Sequence, residues 1–257
     1  MKNPSISLFL PVYNELKNIH KIMPEALSAL SKLTSNYELI IVDDGSTNGT
    51  AEMANKFSAE NRAVKVIHHG KNLGYGAALQ TGFRNSSKSL ICYIDGDDQY
   101  EMSEMERLLK SIESCDVVSA YRIHRRDPLI RKVYSSGYNL ILKAVFRWRI
   151  KDVNCGFKLY RKGVLENINF KSTGILIDAE MLYLAMKKGY KICQIGVAHR
   201  PRLHGKGMEV NLKMATEVLK ELYRFIKQIK KSKADNPPAA SAYTASATSC
   251  TSYPARL

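Results

Sequence analysis

Four times within its first 120 residues the chain passes from a short apolar run to a stretch with helical periodicity, and few folds accommodate that alternation. Residues 6–12, 38–42, 64–68 and 90–94 read as strands. Residues 18–33, 50–57, 75–85 and a stretch near 103–113 read as helices, and 116–120 is a further short strand. Strands that alternate with helices pair in parallel, because each helical crossover carries the chain back to the edge it left. The expected fold class is therefore α/β, with a mostly parallel central sheet flanked by helices. Ligands of such sheets sit at the carboxyl ends of the strands. The longest apolar runs fall far short of the roughly 20 residues that cross a bilayer, and residues 1–3 lead straight into a strand with no cleavable secretion signal. The five cysteines, at 92, 115, 155, 193 and 250, are scattered and include no Cys-x-x-Cys pair. That pattern speaks against a disulfide framework and a structural zinc site, so a cytoplasmic protein is expected.

Three polar clusters follow three of the strands. Pro11-Val12-Tyr13-Asn14-Glu15 comes after the first, and Val42-Asp43-Asp44-Gly45-Ser46-Thr47 after the second. Carboxylates at a strand end can accept hydrogen bonds from a base imide or a ribose hydroxyl. Gly45 permits the turn, and Ser46 or Thr47 is placed to cap the next helix. Asp95-Gly96-Asp97-Asp98-Gln99 follows the fourth strand. Carboxylates this crowded repel one another unless a cation neutralises them. A hard divalent ion, Mg²⁺ or Mn²⁺, is satisfied by a few such oxygens together with those of a diphosphate. Asp95, Asp97 and Gln99 share one face of an extended segment.

This series resembles family 2 glycosyltransferases with the GT-A fold. The stretch from Gly70-Lys71-Asn72-Leu73-Gly74 through Tyr75-Gly76-Ala77-Ala78 to Gly82 is similar to the family's Asn-x-Gly…Ala…Gly run. The resemblance covers roughly residues 5–205, and its nearest pattern is that of dolichol-phosphate-mannose synthase and related polyprenyl-phosphate glycosyltransferases. It implies an inverting, single-displacement transfer of a sugar from a GDP- or UDP-sugar to a dolichyl or undecaprenyl phosphate. It further implies that Pro11, Tyr13, Glu15, Asp43, Asp44, Lys71, Asp95 and Gly96 hold the donor, and that Asp95, Asp97 and Gln99 ligate the metal. Arg122, Arg131, Ser135, Arg202 and Lys206 would grip the acceptor phosphate, with Asp97, Arg122 and Arg202 at the reaction centre. Asp152…Cys155-Gly156-Phe157-Lys158 is similar to the family's Asp…Ser-Gly-Phe-Arg, with Cys and Lys substituted. The family's Arg-x-x-Gly-x-Ser-Lys is here Arg202-Leu203-His204-Gly205-Lys206-Gly207-Met208, which lacks the Ser and the Lys.

Charge singles out the acceptor segments independently. Residues 121–150 hold eight Lys/Arg against one Asp/Glu, and residues 199–233 hold ten against three, so each contributes +7 to an overall +15. Such a surface suits phosphorylated ligands, anionic lipid or nucleic acid. Three acidic clusters at strand ends are foreign to a pure nucleic-acid binder. Within residues 131–148, Tyr134, Tyr138, Ile141, Val145 and Trp148 form an apolar stripe, and within 210–231 Met214, Val218, Leu222, Phe225 and Ile229 form another. Both carry basic residues alongside, the design of helices lying on an anionic membrane surface, although a helix packed on its own domain has the same pattern. The expected organisation is one domain over 1–233, peripheral on the membrane, followed by a disordered tail, 234–257. Attachment through these helices or through a separate membrane subunit are both left open. A phosphate acceptor needs no general base; a hydroxyl acceptor would, and Asp178 or Glu180 is the candidate, with Asp178 as a helix N-cap the structural alternative. His68-His69 reads as an exposed turn pair, while His199 and His204 flank the Arg200–Arg202 cluster as phosphate-binding candidates.

Overall fold

The alternation appears as expected in the computed structural model, which describes residues 3–125, 127–205, 207 and 212–235. Strands β1 (Ile6–Val12), β2 (Tyr37–Asp43), β3 (Val64–His68) and β4 (Leu90–Ile94) are linked by helices α1 (Leu16–Leu33), α2 (Thr50–Glu60) and α3 (Tyr75–Asn85), and pair in parallel. Then come α4 (Met105–Ser111), β5 (Val117–Ile123), α5 (Leu129–Phe146), β6 (Phe157–Arg161), α6 (Lys162–Asn167), α7 (Ile177–Lys187), β7 (Ile192–Ala198) and α8 (Leu212–Asp235). The seven strands lie in the order β3-β2-β1-β4-β6-β5-β7.

Alternate side chains of the central strands enter two separate cores. Leu8, Leu10, Leu39 and Ile41 meet α1 through Ile19, Met23 and Leu30 on one face. Phe9, Ile40, Val42 and Tyr93 meet α3 through Leu79 and Phe83 on the other. Burial on both faces explains why these strands read as continuous apolar runs. A Cβ on Gly82 would stand 2.3 Å from the Phe9 ring, so only glycine lets α3 lie this close to β1.

Two strands escape the sequence reading. β6 is antiparallel to both β4 and β5, and β7 lies parallel at the edge beyond β5. Phe157, Lys158, Leu159 and Tyr160 are all buried, so β6 carries no polar alternation to mark it as a strand. Its register places Lys158 opposite Tyr93 of β4, a pairing that shapes the site below.

The two amphipathic stretches differ in placement. α5 begins at Leu129 and ends at Phe146, where Arg147 turns the chain with φ 51°. Trp148 therefore leaves the expected stripe and is buried, its ring 5.0 Å from that of Phe146. Tyr134, Ile141 and Val145 remain exposed. On α8, by contrast, Leu222 and Phe225 are buried and Ile226 and Ile229 pack against the same core. The second stripe is a domain-packing face, and the helix runs to Asp235, two residues past the expected boundary. Most of the expected tail, 236–257, lies outside the described residues, as do residues 210 and 211.

At the amino ends of the strands, Glu38 accepts hydrogen bonds from Ser7 Oγ (2.6 Å), Ser87 N (2.6 Å) and Ser87 Oγ (2.7 Å), and pairs with Lys65 Nζ (2.6 Å). Burial pushes its carboxyl up, but these partners prevail and hold it at about 2, below the ordinary 4.5. A carboxylate depressed in the folded state stabilises above its unfolded pKa and loses that contribution as pH falls through the folded one. Urea denaturation of Glu38→Gln should show a loss of about 3 kcal/mol at neutral pH. The gap to the parent should narrow as the pH falls from 4.5 toward 2; a pH-independent gap would refute the assignment.

Candidate active site

The three polar clusters converge at the carboxyl edge formed by β1, β2 and β4. Glu15 follows β1 at the head of α1, accepts a hydrogen bond from Asn18 Nδ2 (2.5 Å) and pairs with Arg202. The same guanidinium reaches Asp97 Oδ2 at 2.9 Å through Nη1. Burial raises both carboxyls, and Arg202 is the strongest opposing influence on each. Tyr13, next to Glu15, is exposed at the rim.

Asp43 and Asp44 are buried and already partnered. Asp43 accepts from Ser46 N (3.0 Å) and lies 2.8 Å from His68 Nδ1. Asp44 accepts from Leu73 N and Gly74 N, both at 2.9 Å, and lies 2.6 Å from His69 Nδ1. The histidine pair is thus part of the clasp that joins the 43–47 turn to the 69–74 loop. A Cβ on Gly45 would lie 2.4 Å from the Lys71 carbonyl carbon, which shows how tightly that clasp closes. Neither Ser46 nor Thr47 caps α2, whose N-cap is Gly49. Ser46 Oγ accepts from Asn14 N (2.9 Å), and Asn14 Oδ1 accepts from Thr47 N (2.8 Å), tying the first cluster to the second. Sequence spacing gave the histidines no role because their partners lie on the neighbouring strand.

Asp95 has a different setting. Tyr75 Oη donates to it at 3.1 Å, and its backbone N bonds Gly156 O at 2.9 Å. A Cβ on Gly156 would stand 1.8 Å from Asp95 Oδ2, so glycine is required where β6 meets this carboxylate. Burial, with the neighbouring Asp97 and Asp178, pushes Asp95 up to about 7. Among the described residues it has no ion-pair partner, and no cluster of three or more His, Cys, Asp or Glu is placed to hold a metal. Asp95, Asp97 and the Gln99 amide do offer hard oxygens of the kind that Mg²⁺ or Mn²⁺ takes. Gln99 Nε2 donates to Arg200 O (3.1 Å), which leaves its carbonyl as the ligating end.

The basic segment supplies a second group. Arg122 grips Asp152 through Nε (2.7 Å) and Nη2 (2.8 Å). Asp127, nearly fully buried, pairs with Arg122 (3.6 Å), Arg125 (2.8 Å) and Arg131 (3.7 Å), and Arg125 and Arg122 outweigh burial to hold its carboxyl low. Ser135 Oγ accepts from Arg125 Nη1 at 2.9 Å. Arg122 and Arg131 are also near enough to exert a lowering influence on Asp97. Sequence reading passed over Arg125 and Asp127, whose signal was the charge run itself. Lys206 lies outside the described residues. His199 is buried and, mainly through desolvation, lowered to about 4.

Asp178 and Glu180 lie in the first turn of α7, and the N-cap is Leu176, not Asp178. Asp178 is fully buried, pairs with Lys158 Nζ at 2.7 Å and accepts from Tyr93 Oη. Lys158 also donates to Tyr93 Oη (2.9 Å) and Cys155 O (2.6 Å). Glu180 accepts the backbone N–H groups of Lys171 (3.1 Å) and Ser172 (2.7 Å).

Residues 7–168 match the family described as glycosyl transferase family 2. An undecaprenyl-phosphate 4-deoxy-4-formamido-L-arabinose transferase of Photorhabdus laumondii is 32% identical over 206 residues, 78% of this chain and 61% of that enzyme. A dolichyl-phosphate beta-glucosyltransferase of Trichomonas vaginalis is 29% identical over 208 residues, 73% of this chain and again 61% of the relative. The chain thus spans about three fifths of the length of these curated relatives. Among solved structures, mannosyl-3-phosphoglycerate synthase from Rubrobacter xylanophilus superposes with a TM-score of 0.69 at 16% identity, covering 89% of this chain and 75% of that one. Glucosyl-3-phosphoglycerate synthase from Mycobacterium tuberculosis, in complex with Mn²⁺, UDP-glucose and phosphoglyceric acid, gives 0.65 at 17% identity, covering 92% and 82%. These likenesses establish the expected GT-A fold.

Lys158→Met would strand a buried carboxylate. Chemical denaturation should register a loss of about 3–5 kcal/mol, largely restored in Lys158→Met/Asp178→Leu; equal losses in the single and double variants would refute a compensating pair.

Proposed function

Because the chain belongs to glycosyltransferase family 2, we propose that it is a metal-dependent inverting enzyme that moves a sugar from a nucleoside-diphosphate donor to a polyprenyl phosphate, dolichyl or undecaprenyl, while peripheral on the cytoplasmic face of a membrane. The observation that carries this reading is the contact of Arg202 Nη1 with Asp97 Oδ2 at 2.9 Å, with Arg122 and Arg131 close by. It supports the reading because a guanidinium suited to a phosphate lies against the acidic edge at which a nucleotide diphosphate would lie. The named relatives that act on undecaprenyl and dolichyl phosphates support the choice of acceptor.

In this reading Tyr13 and the clasp that holds Asp43, Asp44 and Lys71 receive the nucleoside, while Pro11, Glu15, Asp95 and Gly96 line the diphosphate side. Asp95, Asp97 and Gln99 would hold Mg²⁺ or Mn²⁺, which when bound supplies Lewis-acid neutralisation of the leaving diphosphate. Arg202 and Arg122, as planar forks, orient the acceptor phosphate for attack at the anomeric carbon, and with Arg131, Ser135 and Lys206 they hold its charge. A phosphate monoester is already largely anionic at neutral pH, so no side chain has to take a proton from it. The engagement of Asp178 by Lys158 and of Glu180 by two backbone amides supports that economy, since both candidate bases are occupied in the scaffold.

The test offers GDP-mannose, UDP-glucose and UDP-N-acetylhexosamines with Mg²⁺ or Mn²⁺, each against a short polyprenyl phosphate and the corresponding alcohol. Product should form from one donor and only with the phosphate. Chelation should abolish it, and Asp97→Ala should lower the rate by at least about 100-fold. Donor hydrolysis without lipid product, or transfer to the alcohol, would overturn the phosphate-acceptor reading.

A further inference from the structure

A cavity of about 420 Å³ opens between the end of β5, one side of α5 and the 151–152 loop. Arg122, Arg125, Lys143 and Lys151 line it against a single carboxylate, Asp152. That carboxylate is already gripped by Arg122, and Arg125 is engaged by Asp127 and Ser135. Lys143 and Lys151 have no ion-pair partner among the described residues, and the Lys151 ammonium lies 4.2 Å from the centre of the Tyr121 ring. The cavity therefore has positive charge that no group among the described residues balances. An anion held there gains charge-assisted contacts that the fold does not supply itself.

The place of the cavity on α5 indicates which anion. Ser136, Asn139, Leu140 and Lys143 face it and form one helical stripe. Arg131 and Ser135, on a different stripe, turn toward Asp127 and Arg125. The flank on the other side of the cavity stripe is apolar and uncovered: Leu129 is 76% exposed, Ile130 59%, Val133 62% and Leu140 68%. Leu140 belongs to both surfaces, so a cationic hollow is rimmed by exposed hydrocarbon. A soluble phosphate ester would satisfy the hollow and leave the rim in water. A lipid headgroup satisfies both, because its chains continue where Leu140 and Val133 point.

We propose that the Lys143 and Lys151 side of this cavity holds the phosphate headgroup of an anionic bilayer lipid, beside and distinct from the acceptor phosphate assigned to Arg122, and so seats α5 on the leaflet. The inference rests on the reading that the chain works at a membrane surface and names the group that surface presents. The lysines act as mobile point charges suited to an exchangeable headgroup, whereas the arginines are fixed by carboxylates.

The test is co-sedimentation of the full chain with phosphatidylcholine vesicles, with and without phosphatidylglycerol, at fixed ionic strength. Transfer to a short, water-soluble polyprenyl phosphate is measured in parallel without vesicles. Phosphatidylglycerol should be required for binding. Lys143→Ala/Lys151→Ala should weaken that binding about tenfold or more, whereas Lys227→Ala/Lys231→Ala, which removes equal charge from α8, should change it far less. Both lysines of the cavity are exposed, and unchanged soluble transfer in their variant would show that the fold and the proposed reaction are intact. Equal weakening by both double variants would mean diffuse attraction and overturn the proposal. Displacement from the vesicles by glycerol 3-phosphate would assign the cavity to a soluble ester and overturn the lipid source. Loss of soluble transfer in Lys143→Ala/Lys151→Ala would assign the cavity to the acceptor itself, with the same consequence.

Discussion

Carboxylates crowd the carboxyl edge of the parallel sheet, and the rest of the structure is arranged around their mutual repulsion. Each is answered by a different element. Arg202, from the segment after β7, bridges Glu15 and Asp97; Lys21 of α1 and Arg200 meet Asp98; the ring nitrogens that end β3 meet Asp43 and Asp44. Among the described residues Asp95 meets a tyrosine hydroxyl and the more distant field of Lys158 but no ion-pair partner, and burial drives it up to about 7. A site balanced everywhere except at one buried carboxylate is one where added positive charge is worth most, since the low local dielectric strengthens every interaction made there.

β6 explains how a sheet of family 2 type brings its two halves to one place. Inserted antiparallel between β4 and β5, it sets Gly156 against Asp95 and Lys158 against Tyr93. A buried ammonium in a sheet core is expensive unless paired. Here Lys158 contacts Asp178, Tyr93 and the Cys155 carbonyl at once, so one cation pins α7, β4 and the turn before β6 together. The substitution of Lys for the family's Arg is accommodated by this compact pocket, which suits three converging acceptors rather than a planar fork.

The two basic, amphipathic helices show what patterning alone leaves undecided. α8 turns its stripe inward onto Trp148, Phe146 and Tyr183, while α5 keeps Leu129, Ile130 and Val133 outside and buries mainly Asn139 and Leu142. No helix among the described residues is long and apolar enough to cross a membrane. Of the two helices, α5 exposes more large apolar side chains among the described residues, while Leu219 and Tyr223 are exposed on α8.

The sequence by itself determined the parallel half of the sheet, the acidic clusters at its strand ends and the two basic segments, because these are local: periodicity, turn chemistry and charge are all written within ten or so consecutive residues. It also carried the family pattern, in which Asp95, Asp97, Arg122 and Arg202 stand at the expected site positions. Only the tertiary structure decided that β6 runs antiparallel, that His68 and His69 hold Asp43 and Asp44, that Asp178 belongs to Lys158, and which amphipathic face stays exposed. Each of those depends on partners distant in the sequence, 20 residues apart for Lys158 and Asp178 and 25 for His68 and Asp43. A charge or an apolar stripe specifies that it must be matched; the fold specifies by what.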